Sequence, residues 1–349
     1  MILMGKFAFS QLHSDSSFFE KRKAFITSLV LKKDSLSFIP KNPYYEDYSQ
    51  KFALFLYSKI KYNRFSVTNL AQKKTLFYSP NEQMNMGFGF HYKFLGIGIA
   101  LNFGFINHDN KDYGKTRRLD LQTNIYMKKF VVDFYLQYYK GFYIQNPEDV
   151  FSEWNSEQRS YIRPDISSFD VGIGGMYVFN HERFSYKSAF LQTAIQKKSA
   201  GSFLLGGQIF FQGVVGDSTF FPQQSFFGDL PKAKGHSATY IGVLTAYAYN
   251  FIILKHYFFS VSMMGSIHLG ATYTLMESGN EYTNILPVLH LQPRVALGMN
   301  RPKWYAGMSF VKDTYVELVD KKDSDWSYTF YSGNLRIFLG YRFDWFSEK

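Results

Sequence analysis

From Met84 onward, apolar residues alternate with polar or small ones at period two, in successive runs of strand length. Met86, Phe88, Phe90 and Tyr92 are interleaved with Gly87, Gly89 and His91. Leu95, Ile97, Ile99, Leu101, Phe103 and Phe105 alternate with Gly96, Gly98, Ala100, Asn102 and Gly104. Leu119, Leu121, Thr123 and Ile125 oppose Arg118, Asp120, Gln122, Asn124 and Tyr126, and Phe130, Val132, Phe134, Leu136 and Tyr138 form a further such set. The last run is the most regular, with Leu335, Ile337, Leu339, Tyr341, Phe343 and Trp345 against Asn334, Arg336, Phe338, Gly340, Arg342 and Asp344. Side chains on a strand point to opposite faces in turn, so each run predicts a strand with one greasy face.

Either a soluble antiparallel barrel with an apolar inside or a membrane barrel with an apolar outside produces this pattern. The polar face decides between them. It is rich in glycine and carries both signs of charge, at Arg118, Asp120, Asp133, Asp170, Arg183, Lys187, Arg336, Arg342 and Asp344, as a confined lumen of paired charges would. Aromatics gather toward the ends of the apolar faces, as in Phe130 with Tyr138 and Tyr341 with Trp345, which suits girdles at two membrane interfaces. The expected fold is therefore all-β, an antiparallel up-and-down transmembrane β-barrel of about 12 to 14 strands. Ala238 to Leu254 and His256 to Met276 lack Asp, Glu, Lys and Arg, so hydropathy alone would allow two membrane helices. Their glycines, β-branched residues and tyrosines favour strands. Residues 51–349 read as one barrel domain and 1–50 as a leader or tail, with a short helix expected within Ser16 to Leu31.

Very short turns are expected around Lys93, Met127 to Lys129, Asn180 to Arg183, Leu254 to His256 and Asn300 to Lys303. Long links are expected at Ile106 to Thr116, Gly141 to Pro164, Val214 to Ser237 and Glu277 to Leu286. That asymmetry matches short periplasmic turns and long extracellular loops. A loop at Gln196 to Ser202 breaks the parity, which calls for some piece there to fold inward as a plug or bend.

Composition narrows the chemistry. Aromatics are 20% of the residues, in keeping with a β-rich protein, and cysteine is absent, which removes disulfides, thiolate catalysis and Cys-based metal sites. The eight histidines show no ligand spacing, so neither metal nor cofactor is expected. Lys and Arg exceed Asp and Glu by 39 to 28, but as scattered pairs such as Lys73-Lys74 and Lys128-Lys129. Such pairs suit an anionic lipid or lipopolysaccharide surface at the outer membrane rather than nucleic acid.

Five words stand out: YSPN (Tyr78 to Asn81), YYKGFY (Tyr138 to Tyr143), YIRPD (Tyr161 to Asp165), YVFNHERFSY (Tyr177 to Tyr186) and QKKSAGSFLLGG (Gln196 to Gly207). In this order they resemble the family called domain of unknown function 4421, found in the Bacteroidota. The resemblance runs from about Tyr44 to the C-terminus. It implies an exported, barrel-like envelope protein of uncharacterised activity, and supplies no catalytic or binding residues. Within these words, Gln196, Lys197, Lys198 and Ser199 place a Ser near a Lys, but neighbouring strand residues face apart, and a tight basic-flanked turn is the simpler reading. His236-Ser237 has no third orienting partner in the sequence. Arg163 and Asp165, with Pro164 holding the chain extended, are expected to brace a long loop against the barrel mouth, or to form an anion- or sugar-binding rim. The leading function is passive, a monomeric channel for a small solute or a structural envelope protein with a charged lumen. A membrane-embedded lipid hydrolase or acyltransferase and a soluble barrel or sandwich binding an apolar ligand are the alternatives.

Overall fold

The computed structural model describes residues 42–349 apart from 94, 104–106, 108, 152, 156, 158, 223–231, 320–325 and 345–349. The expected helix within Ser16 to Leu31, the strand residues Gly104 and Phe105, and Trp345 lie outside the described residues. Asn42–Lys349 forms one compact unit. Its strands are β1 (Tyr45–Asp47), β2 (Phe52–Asn69), β3 (Lys74–Pro80), β4 (Met84–Tyr92), β5 (Leu95–Asn102), β6 (Arg117–Tyr126), β7 (Phe130–Ile144), β8 (Tyr161–Val178), β9 (Ala194–Gln196), β10 (Ala200–Val215), β11 (Ala233–Ile253), β12 (Tyr257–Met276), β13 (Glu281–Asn300), β14 (Trp304–Glu317) and β15 (Trp326–Phe343).

Ten antiparallel strands close a ring in the order β2, β15, β14, β13, β12, β11, β10, β8, β7, β3 and back to β2. First and last members pair along their whole length, from Phe52 opposite Phe343 to Asn69 opposite Trp326. The ring is smaller than a count of strand segments suggests because β3 and β4 are two halves of one kinked strand along β2. Tyr78 pairs with Phe65 and Met84 pairs with Ile60. Beyond the kink, β3 turns its other edge to β7 at one end of the barrel, while β4 and β5, with β6 on the β7 side, take its place at the other.

The branch point is held by polar side chains. The Asn81 amide donates to Thr116 Oγ1 (2.8 Å), and the Thr116 hydroxyl donates to the Gly141 carbonyl (2.7 Å). Gly141 has φ +95°, open to a residue without Cβ, at the bulge where β7 exchanges β6 for β3 as its neighbour.

Around most of the ring exposure alternates with the apolar residues outermost. In β12, Tyr257, Phe259, Met263, Ile267 and Leu269 are exposed while Phe258, Ser260, Ser262, Met264, Ser266 and His268 are buried. An apolar outside over a mixed inside is the arrangement of a transmembrane barrel, with every ladder hydrogen bond made between neighbouring strands. Among the described residues no helix is long and apolar enough to cross a membrane, and the two charge-free tracts are β11 and β12.

Turns after β4, β6, β11 and β13 are short and share one end. Links on the opposite end are shorter than the sequence suggests, because β8 starts at Tyr161, β11 at Ala233 and β13 at Glu281. The parity conflict resolves as an inward fold. Between β8 and β10 the chain makes no membrane strand; Phe184 to Phe190 is buried inside the short-turn end, with one helical turn at Lys187–Phe190 and β9 paired to β1.

Candidate functional site

The lumen is the site that the strands enclose, and side chains fill it at three levels. At the short-turn end the plug presents Phe184, Tyr186, Ala189 and Phe190 to Leu244, Phe258 and Met264 of the wall. Its backbone is held by wall amides: Asn250 Nδ2 donates to the Ser185 carbonyl (3.1 Å), and Asn300 Nδ2 to the carbonyls of Ser188 (3.2 Å) and Ala194 (3.0 Å). Arg342, only 1% exposed, donates to the Gln192 carbonyl, to Asn300 Oδ1 (2.7 Å) and to the Arg301 carbonyl (2.5 Å), and lies over the Tyr305 ring.

Two ion pairs, Arg294 with Asp133 and Lys61 with Asp120, and the amide-held carboxyl of Asp170 occupy the middle level. Arg294 donates to Asp133 across the lumen and to Tyr126 Oη (2.5 Å), and Asn124 and the Tyr126 hydroxyl complete the carboxylate's shell. Asp120 accepts from Lys61 and from the Tyr139 hydroxyl (2.5 Å), and Asp170 accepts from Asn63. Buried charges persist only when paired and hydrogen-bonded, so each pair ties one sector of wall to another.

Aromatics close the long-loop end. Phe65, Tyr78, Phe142, Phe220, Tyr328 and Phe330 form one buried cluster, into which the loop after β10 inserts Phe220 and Phe221. The loop is locked by Arg163, whose Nη1 donates to the Thr219 carbonyl (3.0 Å) and whose Nε and Nη2 grip Asp165 (both 2.8 Å), while Asp165 also accepts from the Ser218 hydroxyl (3.3 Å).

The residues singled out from sequence thus fall in different places. Asp120, Asp133, Asp170, Arg336 and Arg342 face the lumen, as does Arg118, which donates to Asn85 Oδ1 (2.8 Å). Lys187 belongs to the plug, paired with Asp47 (2.6 Å). Arg183 and Asp344 are corrections, since neither lines the lumen. Arg183 is exposed on the turn leading into the plug, over the Tyr44 ring, and Asp344 is exposed beyond β15, paired with Lys51 (2.6 Å). Burial raises the Asp47 carboxyl, yet the Lys187 ammonium and the Ser49 amide outweigh it and hold the group below the usual carboxylate range.

Gln196 is buried in the plug, where its Nε2 donates to the Arg183 carbonyl (2.6 Å). Lys197 pairs with Glu46 (2.9 Å), Lys198 lies over Tyr44, and Ser199 Oγ accepts the Ile252 amide (2.9 Å), so no Lys reaches that serine as a base. His236 is buried in β11 rather than part of the long link expected at Val214 to Ser237, and it lies between Thr274 Oγ1 (2.9 Å) and Glu317 Oε1 (2.9 Å), with Ser237 on the other face of the strand.

Sequence reasoning missed a further set. His290 Nε2 lies 3.0 Å from Asp313 Oδ1 and its Nδ1 3.5 Å from Ser266 Oγ, with the imidazole stacked on Tyr315. The order Ser, His, Asp is that of an acyl-transfer triad, but the His290 ring is 0% exposed and flat against an aromatic, which leaves no room for a reacting carbonyl. Its members come from β12, β13 and β14 and show no spacing that a single sequence could flag. Among the described residues no cluster of three or more His, Asp or Glu is arranged to hold a metal ion.

The chain is similar to solved outer-membrane barrels at low identity. The outer membrane protease OmpT from Escherichia coli matches at 8% identity and TM-score 0.41 over 89% of this chain and 99% of that one. The translocator domain of the autotransporter NalP from Neisseria meningitidis matches at 7% and 0.29 over 94% and 96%. The toluene transporter TodX from P. putida matches at 6% and 0.22 over 84% and 90%. No curated protein matches. A family model spans residues 32–343, the whole barrel and all five of the distinctive words, and the chain belongs to that family, the domain of unknown function DUF4421.

Proposed function

We propose that this is a passive barrel of the bacterial outer membrane whose axis is closed to solutes, a structural envelope protein rather than an open diffusion channel. The observation that carries the reading is the filling of the lumen at three successive levels: plug, paired charges and aromatic cluster. An open pore would leave its lining charges in water to select ions. Here Arg294, Asp133, His290 and Asp313 are all buried and spend their polar atoms on one another or on neighbouring side chains. The outer-membrane placement is supported by the exposed apolar belt and by short turns at one end against longer links at the other.

The test is reconstitution of the purified chain into planar bilayers after membrane fractionation and a heat-modifiability gel. A folded, inserted barrel with no ion-conducting steps is expected. Sustained single-channel conductance from the unaltered protein would overturn the closed reading in favour of a channel.

A further inference from the structure

The wall is not uniform. At the short-turn end β5 pairs with β4 and β6 pairs with β7, and among the described residues these two pairings end the hydrogen-bonded path on either side, leaving the other edges of β5 and β6 toward one another. Gly96 and Gly98 point inward beside the His91 and Tyr57 side chains and keep exposed backbone, and Ile97 and Ile99 are exposed on the outside. On β6, Leu119 and Leu121 belong to the apolar belt while the inward Asn124 is exposed. A seam of unpaired backbone at membrane depth needs polar groups to satisfy it, because hydrocarbon offers none.

Behind the seam lies an excess of positive charge. Lys59 is within electrostatic reach of Lys61, Arg118, Arg336 and Asp120. Asp120 is taken by Lys61. The other three cations have neutral partners: Lys59 the Tyr57 ring, Arg118 the Asn85 amide oxygen, and Arg336 the rings of Phe55, Tyr57 and Phe338. Arg336 Nε is buried with no hydrogen-bond acceptor. Elsewhere in this lumen cations are matched by carboxylates, as at Arg294 and Asp133, or spent on buried carbonyls, as at Arg342. An unmatched basic trio in a low-dielectric interior is held in its charged form best by an anion.

We propose that the seam between β5 and β6 is a lateral binding site for a net-anionic phosphate-bearing lipid, with the phosphate seated against Lys59, Arg118 and Arg336 and the acyl chains left outside along Ile97, Ile99 and Leu121. The geometry fits an amphiphile on both counts: cations and unpaired backbone groups line the inside of the gap, and the belt flanks it on the outside. The site rests on membrane insertion of the barrel but not on the closure of its axis.

The experiment is native mass spectrometry of the full chain released from neutral detergent doped with phosphatidylglycerol or phosphatidylcholine. Retention of phosphatidylglycerol well above phosphatidylcholine is expected. The variant Lys59→Gln/Arg118→Gln/Arg336→Gln should lose about tenfold or more of it, since a charge-assisted hydrogen bond removed at each site is worth that order. The control Lys129→Gln/Lys255→Gln/Lys303→Gln, which removes the same charge from exposed positions at the same end, should lose little. Lys59→Gln alone, at a side chain lying over the Tyr57 ring, gives a milder loss and serves if the triple variant fails to give a compact unboiled band. Equal retention of the two lipids, or full retention by the seam variants, would overturn the proposal. So would displacement of the lipid by inorganic phosphate at equal concentration, which would make the site one for the free anion. Failed retention in an inserted, non-conducting barrel refutes this site alone, whereas a chain that stays soluble refutes the membrane reading and this site together.

Discussion

The β11–β12–β13 wall and the β5–β6 seam are made from the same kind of sequence, alternating apolar and small or polar residues, and they end up in opposite conditions. In the wall each strand is twenty or more residues long, β12 is paired on both edges along nearly its whole length, and burial alternates through most of it. In the seam the strands have 8 and 10 residues and one paired edge each, and inward Gly96, Gly98 and Asn124 stay exposed. Alternation therefore predicts which way a side chain points. It does not determine whether the strand beside it is there, because that depends on where a kink such as the one between β3 and β4 sends the chain.

The sharpest way to test this contrast is to remove an arginine from each region. Arg294→Met leaves Asp133 buried without its partner and is expected to cost about 3–5 kcal/mol in denaturant unfolding from detergent, whereas Arg118→Met, which leaves only the Asn85 amide, should cost about 1 kcal/mol. Similar losses at the two positions would mean that the seam is as tightly coupled as the wall. Arginine on the outside comes next. Ile267→Arg, at a position 68% exposed on the wall, should destabilise insertion by roughly 2–4 kcal/mol, while Ile99→Arg should cost about half as much because the guanidinium can reach the polar seam. Folding yields into lipid vesicles measure both, and equal penalties would argue that the seam is shut.

Acid should act at the plug with a smaller effect. Asp47 is depressed in the folded protein, so its pairing with Lys187 lends stability above the unfolded carboxyl value of about 3.9 and loses it as pH falls through the folded value. The side chain is half-exposed, which limits the contribution to about 1 kcal/mol or less. Hydrogen exchange across residues 184–196 should accelerate below about pH 4, and Asp47→Asn should show that faster exchange already at neutral pH with little further change on acidification. Unchanged exchange in the variant at neutral pH would show that the hydrogen bonds from Asn250 and Asn300 hold the plug unaided.

Much of the barrel was legible in the chain. The outward set Ile97, Ile99, Leu101, Leu119, Leu121, Ile337 and Leu339 follows directly from period two, because a strand leaves no other choice of face. The plug was visible only as a conflict of parity. Phe184 to Gln196 is as apolar as a strand, and its inward course is decided by amides on β11 and β13, more than fifty positions away. The charge pairs were out of reach for the same reason. Arg294 and Asp133 are separated by 161 positions, and nothing local to either names the other. Arg183 and Asp344 were misassigned because alternation was carried a few residues past the point where the strand ends. All five distinctive words touch irregular places: the branch point at Asn81 and Gly141, the Arg163 loop lock, and the two ends of the plug.

The pairing of β2 with β15 has a consequence in time. Lys51 and Asp344 are 293 positions apart, and the contact that closes the ring joins the earliest ring strand to the last one synthesised. A loop of that length is costly to close in conformational entropy, and topologies dominated by such distant pairings fold slowly. Until β15 arrives, every earlier strand belongs to an open sheet with two reactive edges and a greasy face, the condition most prone to aggregation. The closing strand therefore sets the moment at which the chain stops needing protection, and a delay in its docking would be felt as loss of the whole barrel rather than of one wall.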